Sequence, residues 1–454
     1  MSAESTGATD RVRDAIVETF EGHDARMIAG TMAGIYVLLV VFGLLAGFGF
    51  GGIVNTLRAA TVFAAGYGML VLALNLHWGY TGLFNIGVAG FMAVGTYTTA
   101  ILSASPDATP GAGLGLPLPI AILGGMAAAA LVGLLTALPA LRLRADYLAI
   151  VTVALSEIIR LFVKSGVAAE ATLGGDTVFG YTLPSITIGT GGGRGISYPA
   201  PGSFGGWLLE NLPAGIGDAV YDVAGALDIS RPVTSGLVYL LVLILFAAAF
   251  YWLLVRIGNS PFGRVLKAIR EDELVASSLG KDTRIFKLKV FAVGCALMGL
   301  AGYLWIGRSG FVNDLSFRPN ITFFIFIALI IGGAGSNTGS LIGGMVFSSI
   351  LFYLPQFLSQ NFGGTTTAPS TFLGAVAGLD EFVAYTFQNI SSLRFVLIGV
   401  LLVYLMHNRP DGILGHRKED AAAVNLLERS SKPPKSGATV ADGSGQSDGG
   451  ETDE

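Results

Sequence analysis

The chain has 454 residues, of which 52% are hydrophobic and only 13% charged, and its formal net charge is −4. An ordinary soluble domain carries about 25% charged residues. This balance excludes a soluble enzyme, a disordered protein and a nucleic-acid binder, which would need a basic face, and it makes membrane lipid a partner of the chain.

The charges are bunched. Residues 1–26 hold 9, residues 256–289 hold 12 and residues 408–454 hold 15 of the 58 charged residues. The first 26 residues form a polar tail rather than a secretory leader. Crossing a hydrocarbon core of about 30 Å takes about 20 helical residues. Apolar runs of that kind lie at 27–50, 59–76, 81–104, 118–140, 147–163, 233–255 and 290–306. Residues 321–354 are long enough for two shorter segments, interrupted by Gly332, Gly333, Gly335 and Gly339, and a last run covers 395–407. The reading is an all-α polytopic membrane protein with about ten transmembrane helices, some discontinuous. Its transmembrane domain is expected over 27–407, with a largely disordered tail over 408–454.

Lys and Arg favour the cytoplasmic side of short connections. Residues 256–289 carry eight basic residues, and the connection holding Arg142 and Arg144 is also basic. Residues 165–232 hold only Arg194 and Arg231 against six acidic residues, and residues 357–392 hold neither Lys nor Arg. Ten spans with both termini cytoplasmic satisfy these assignments. Residues 165–232 are then an extracytoplasmic insertion, whose run 214–227 suits a short surface helix.

No catalytic constellation emerges. The nearest approach to a P-loop, Gly258-Asn-Ser-Pro-Phe-Gly263-Arg264-Val265, lacks both the Lys and the hydroxyl that hold phosphate and magnesium. The single cysteine, Cys295, sits in an apolar run without the electropositive neighbours a thiolate needs. His23, His77, His407 and His416 are scattered at segment ends, with no metal-ligand spacing. No metal and no cofactor are expected, and any ATP must be bound by another chain.

Three features stand out instead. The basic segment Ser260–Gly280 predicts two short amphipathic helices. Pro261 opens the first, with Val265, Leu266 and Ile269 as its stripe, and Gly280 ends the second, with Leu274, Val275 and Leu279. It reads either as a solvated topology signal or as a docking surface for a cytoplasmic partner. Two glycine-rich breaks, Gly79-Tyr80-Thr81-Gly82-Leu83-Phe84-Asn85-Ile86-Gly87 and Gly332-Gly333-Ala334-Gly335-Ser336-Asn337-Thr338-Gly339, each interrupt apolar runs. Such breaks serve close helix packing or free backbone groups to line a substrate path. Glu157 and Arg160, three apart on one helical face, read as a structural pair or as a gating element.

Together these segments resemble the permease of branched-chain amino acid ABC importers, the LivM type, over about residues 62–414. The resemblance is carried by Gly79–Gly87 with Gly95-Thr-Tyr97, by Leu141-Arg-Leu-Arg-Ala-Asp-Tyr-Leu-Ala-Ile-Val-Thr, and by Ser156-Glu-Ile-Ile-Arg-Leu161. It continues in Ser260-Pro-Phe-Gly-Arg with Ala-Ile-Arg-Glu-Asp-Glu273, Ile331-Gly-Gly-Ala-Gly-Ser336 and Arg409-Pro-Asp-Gly-Ile-Leu-Gly415. It implies a homologous second permease, two cytoplasmic ATPase subunits and an extracytoplasmic substrate-binding protein as partners, with ATP hydrolysis on the separate subunits.

It also implies that residues 256–289 form an ATPase-coupling loop using Pro261, Phe262, Gly263, Arg264, Ala268, Ile269, Arg270, Glu271, Asp272, Glu273, Ala276 and Gly280. Here the sequence departs from the permease signature, since Leu274 and Val275 separate Glu273 from Ala276. Val88 also stands where many members carry His or Gln. The expected translocation path takes in Gly79, Tyr80, Gly82, Asn85, Gly87, Glu157, Arg160, Gly332, Gly333 and Gly335. Importers of urea, amides or other small amino acids, and an ion-coupled secondary carrier, are the competing readings.

Overall fold

The computed structural model describes residues 24–107, 112–140, 145–173, 177–178, 181–182, 186–362, 371, 374, 378–408 and 412–414. Residues 1–23 of the polar N-terminal tail, Arg142 and Arg144, and most of the tail expected over 408–454 lie outside them. The chain divides into one unit of residues 1–417 and a second of residues 418–454, the latter wholly outside the described residues.

The first helices are α1 (Asp24–Leu45), α2 (Phe50–Thr81), α3 (Val88–Ser103), α4 (Leu118–Ala140) and α5 (Ala145–Lys164). Within the insertion lie α6 (Phe204–Glu210) and α7 (Ile216–Ala226), and after it come α8 (Arg231–Gly258) and the paired short helices α9 (Pro261–Glu271) and α10 (Glu273–Ser278). The rest are α11 (Thr283–Trp305), α12 (Asn320–Gly332), α13 (Asn337–Val346), α14 (Leu354–Phe362) and α15 (Leu379–Asn408). Between α13 and α14 the helix widens to a π-helix over Phe347–Tyr353. The chain is an all-α polytopic membrane protein.

Among the described residues seven helical segments are long and apolar enough to cross a membrane. Three further helices lie in runs where spans are expected. Two are the shorter apolar helices Val88–Ser103 and Ser392–Asn408. The third is α5, which is 20 residues long but carries Asp146, Glu157, Arg160 and Lys164. The run expected as one span over 81–104 is divided, because α2 continues to Thr81 and an irregular stretch precedes Val88.

Burial separates centre from periphery. In α2, 89% of the apolar window is buried, against 17% in α1, 22% in α4 and 28% in α8. The peripheral helices present Val37, Leu45, Leu123, Leu135, Leu241 and Leu245 to the bilayer. Around α2 pack α8, α11 and α13, while α3, α4 and α11 form a second tight group. Without a hydrophobic drive between helices in lipid, close backbone approach supplies the packing energy. A Cβ on Gly344 of α13 would lie 3.1 Å from the Gly68 Cα of α2, and one on Gly299 of α11 would lie 3.1 Å from the Gly95 Cα of α3. Apolar composition thus makes each helix, and small residues decide which helices touch.

The insertion is not all loop. Antiparallel ribbons pair Ala171–Leu173 with Ile186–Ile188 and Thr177–Val178 with Tyr181–Thr182. Ile196–Ser197 pairs with Phe311–Val312 beyond α11, and the Tyr198 hydroxyl donates to the Gly307 carbonyl at 2.9 Å. The insertion is therefore fastened to the connection following α11. The helix expected over 214–227 is α7, with Ile216, Val220 and Val223 exposed on one face.

Candidate functional site

The first glycine-rich break begins where α2 stops. Gly82 takes the left-handed conformation (φ 69°) that glycine adopts without a Cβ penalty, and its N–H returns to the Trp78 carbonyl at 3.0 Å. The following backbone would be unpaired at membrane depth, which is costly. Side chains from distant helices supply partners. Ile86 N–H donates to Thr152 Oγ1 of α5, and Ala89 N–H to Thr322 Oγ1 of α12, each at 3.0 Å.

Asn85 organises the same stretch. Its Oδ1 accepts from Gly87 N–H at 2.9 Å, so its amide nitrogen faces His77 Nδ1 at 3.1 Å as donor. That leaves the His77 proton on Nε2, which lies 3.2 Å from the carbonyls of both Val290 and Phe291 on α11. The imidazole also stacks on Phe291 at 4.8 Å. His77 is thus a buried structural link rather than a stray segment-end residue.

The second break is joined to the first. Gly333 (φ 105°) and Gly335 (φ 95°) turn the chain between α12 and α13, and Ser336 Oγ caps α13 by accepting from Gly339 N–H at 3.0 Å. Asn75 of α2 accepts from Gly335 N–H at 2.8 Å and donates to Asn337 Oδ1 at 3.1 Å. Gly332 packs against Gly343, whose Cα would stand 3.0 Å from an added Cβ. Ile413 and Leu414, from the C-terminal motif, donate their N–H groups to the carbonyls of Ile331 and Gly332.

The amphipathic segment meets both breaks. Ser260 caps α9 by accepting from Gly263 N–H, and Asp272 caps α10 by accepting from the N–H groups of Leu274 and Val275. Gly280 (φ 76°) ends the second helix as its position predicts. Gly263, Leu266, Ile269 and Ala276 face the protein, and Phe262 stacks on Phe286 at 5.2 Å. Pro261, Arg264, Ala268, Glu271, Asp272, Glu273 and Gly280 are exposed. So is the second apolar stripe, with Leu274 82%, Val275 54% and Leu279 73% accessible.

Arg270 is the point of contact. Its Nη1 donates to the Gly79 carbonyl at 2.6 Å, and Nη2 pairs with Glu271 at 2.7 Å. A Cβ on Gly335 would stand 2.7 Å from the same Nη1, and one on Gly82 would stand 3.6 Å from Arg270 Cγ. One guanidinium therefore touches both breaks. Lys267 lies beside it, over the Tyr80 ring at 5.7 Å. Burial, and after it the Arg270 charge, pull the Lys267 amine below its usual range.

Of the predicted path residues, the structure gathers Gly79, Tyr80, Gly82, Asn85, Gly87, Gly333 and Gly335 around these contacts. Glu157 and Arg160 lie elsewhere. Arg160 is bidentate to Glu157 (2.9 and 2.5 Å) and also reaches buried Asp314 at 2.7 Å, 154 residues away. The pair is a triad that ties α5 to the connection before α12. We expect Asp314→Asn to lower the unfolding temperature of the purified permease by a loss of about 1–3 kcal/mol, with transport retained. A variant as stable as the parent would show the third arm to be idle.

Asn75, His77, Thr152, Asp314, Thr322 and Asn337 are the residues that sequence reasoning missed. A polar residue one turn before a glycine break, as Asn75 is before Gly79, was the available signal. Among the described residues no group of His, Cys, Asp and Glu could hold a metal ion.

The known proteins that this chain is similar to are membrane permeases. The family model described as branched-chain amino acid transport system / permease component matches residues 55–377. The chain is 32% identical over 350 residues to the high-affinity branched-chain amino acid transport system permease protein LivM of Escherichia coli (strain K12), covering 77% of this chain and 67% of that one. It is 26% identical to the probable LivM permease of Methanocaldococcus jannaschii, covering 77% of this chain and 90% of the relative. A shorter match, 32% identical over 110 residues, is to the E. coli permease protein LivH, covering 23% of this chain and 34% of LivH. No solved structure matches. With residues 55–377 matched by the family model and LivM of E. coli 32% identical over 77% of this chain, the chain belongs to the permease-component family of branched-chain amino acid transport systems and is a transport subunit.

Proposed function

We propose that this chain is one of two homologous permeases in an ATP-driven importer and that it carries branched-chain amino acids inward. The observation that carries the reading is Arg270, which joins an exposed two-helix element to both glycine-rich breaks. Segment 256–289 is the coupling loop, and it lies on the cytoplasmic side with both termini. Leu274, Val275 and Leu279, flanked by Arg264 and Lys281, offer an apolar patch with a charged rim to an ATPase subunit. Closure of the ATPase pair displaces α9 and α10. Arg270 passes that displacement to the two breaks, and the bundle tilts as a rigid body between outward-open and inward-open forms.

The second permease is suggested by the match to LivH, a permease protein of the same transport system as LivM in E. coli. The transmembrane domain is 27–407, and the insertion 165–232 faces the extracytoplasmic binding protein. The path needs only weak affinity, because selectivity rests on that binding protein.

The test is reconstitution with the second permease, two ATPases and the binding protein in vesicles. Leucine uptake is expected to need ATP inside and binding protein outside. Uptake of leucine by this chain alone, driven by an ion gradient, would sink the importer reading. Uptake of urea or amides without leucine would sink the substrate.

A further inference from the structure

At the end of α2 remote from Gly79, three arginines have no acidic partner among the described residues. Arg58 lies 21 residues before Gly79, about 30 Å along the helix. It is half-buried, and its guanidinium donates to Asn55 Oδ1, at 2.8 and 3.3 Å. Arg394 of α15 is half-buried, its Nη1 donates to the Phe352 carbonyl at 3.4 Å, its guanidinium lies 4.3 Å over the Phe352 ring, and its Nε is buried with no partner among the described residues. Arg308, just beyond α11, is exposed, donates to the Trp305 carbonyl at 2.9 Å and lies within electrostatic reach of Arg58. Among the described residues none of the three has a carboxylate within 4 Å. Arg160, by contrast, has two.

Half-buried cations without a carboxylate partner, as Arg58 and Arg394 are among the described residues, are expensive and mark function. What surrounds these is aromatic. Phe63 packs on Trp305, Phe352 and Tyr353 at 5.7–6.0 Å, and Tyr67 packs on Trp305 at 4.9 Å. The π-helix carries Phe352 and Tyr353 into this group, and such widened turns recur at functional sites. Trp305 Nε1, buried in the same cluster, is also without a partner among the described residues.

We propose that this arginine-rimmed aromatic cluster is the entry subsite of the permease for an aliphatic amino acid. The guanidinium groups take the α-carboxylate, and the rings take the hydrocarbon side chain as the bundle opens. A planar guanidinium matches a carboxylate with two parallel hydrogen bonds, which an ammonium cannot do. The inference rests on the branched-chain amino acid reading above and adds where the molecule enters. Along α2, Arg58 lies about 30 Å and the rings of Phe63 and Tyr67 about 20 Å from Gly79, so the substrate's charge is met toward one end of α2 and the work is delivered at the other.

The test uses the full complex in nanodiscs and vesicles, with R58Q/R394Q against the parent. Leucine uptake per ATP hydrolysed is expected to fall tenfold or more, while hydrolysis stimulated by loaded binding protein stays within about twofold. A second readout is Trp305 fluorescence in a background where Trp78, Trp207 and Trp252 are Phe. L-Leucine is expected to perturb it at about tenfold lower concentration than L-leucinamide, and R58Q/R394Q to remove that preference. Unchanged uptake per ATP, or equal response to both probes in the parent, would overturn the proposal. So would loss of the second permease on size exclusion, or of binding-protein affinity, which would assign the arginines to protein interfaces. If the parent complex imports no leucine, the importer reading fails. If parent and variant import it equally, only the subsite fails.

Discussion

Replacing Arg270 with Glu is expected to abolish coupled transport while leaving the bundle folded. The side chain is partly exposed and contributes little to the core, yet it makes the direct hydrogen bond from α9 to the first break. A charged donor on a carbonyl at 2.6 Å is worth about 1.5–3 kcal/mol. Glutamate reverses it, setting a carboxylate against the Gly79 carbonyl and leaving Glu271 beside a like charge. The expected result is a tenfold or greater drop in leucine moved per ATP, with basal hydrolysis retained. Arg270→Lys keeps the charge but loses the fork that holds Gly79 and Glu271 together, and is expected to fall between. A ratio of transport to hydrolysis unchanged in Arg270→Glu would refute the coupling role.

The second large effect is expected at Asn75. Its side chain satisfies Gly335 N–H and Asn337 together, and it is wholly buried. Asn75→Ala leaves a donor and an acceptor buried and unpaired, at about 1–3 kcal/mol each. The second break would then lose its register against α2. Lower yield, earlier thermal unfolding and loss of uptake are expected together. Asn75→Asp separates the two bonds, since its oxygen still accepts from Gly335 N–H while the donor to Asn337 is gone. It is expected to retain more stability than Asn75→Ala. Equal stability of both variants would show that the Gly335 bond carries nothing.

Much of the fold was legible because the bilayer constrains it harshly. A run such as 233–255 has few structures open to it in lipid other than a helix, and α8 covers that run. The caps of α9 and α10 were local too, with Pro261 and Gly280 marking their ends. The π-helix over Phe347–Tyr353 was not legible, since nothing in Phe-Ser-Ser-Ile-Leu-Phe-Tyr separates it from an α-helix. Asp314 was missed because its partner lies 154 residues away, and a sequence spacing of three displays only Glu157 with Arg160.

The candidate site divides in the same way. Both breaks were visible as glycine-rich interruptions with an Asn, since left-handed backbone at Gly82, Gly333 and Gly335 is a local requirement. Whether they served packing or a path was undecided at that level. The structure assigns Gly332 to packing and gives Gly79 and Gly335 to the contact with Arg270.

The sequence by itself determined a membrane-embedded, all-helical chain, where its helices are interrupted, and where its central charges cluster, over residues 256–289. Those follow from hydrophobic length, from φ preferences and from the cost of charge in lipid, all of which act locally. Only the tertiary structure decided that the two breaks share Asn75, that His77 ties the first to α11, that Arg270 touches both, and that Arg58, Arg308 and Arg394 ring one aromatic cluster. Each depends on hydrogen bonds and close approaches between residues far apart in the chain, and those are settled by how small residues let the helices pack.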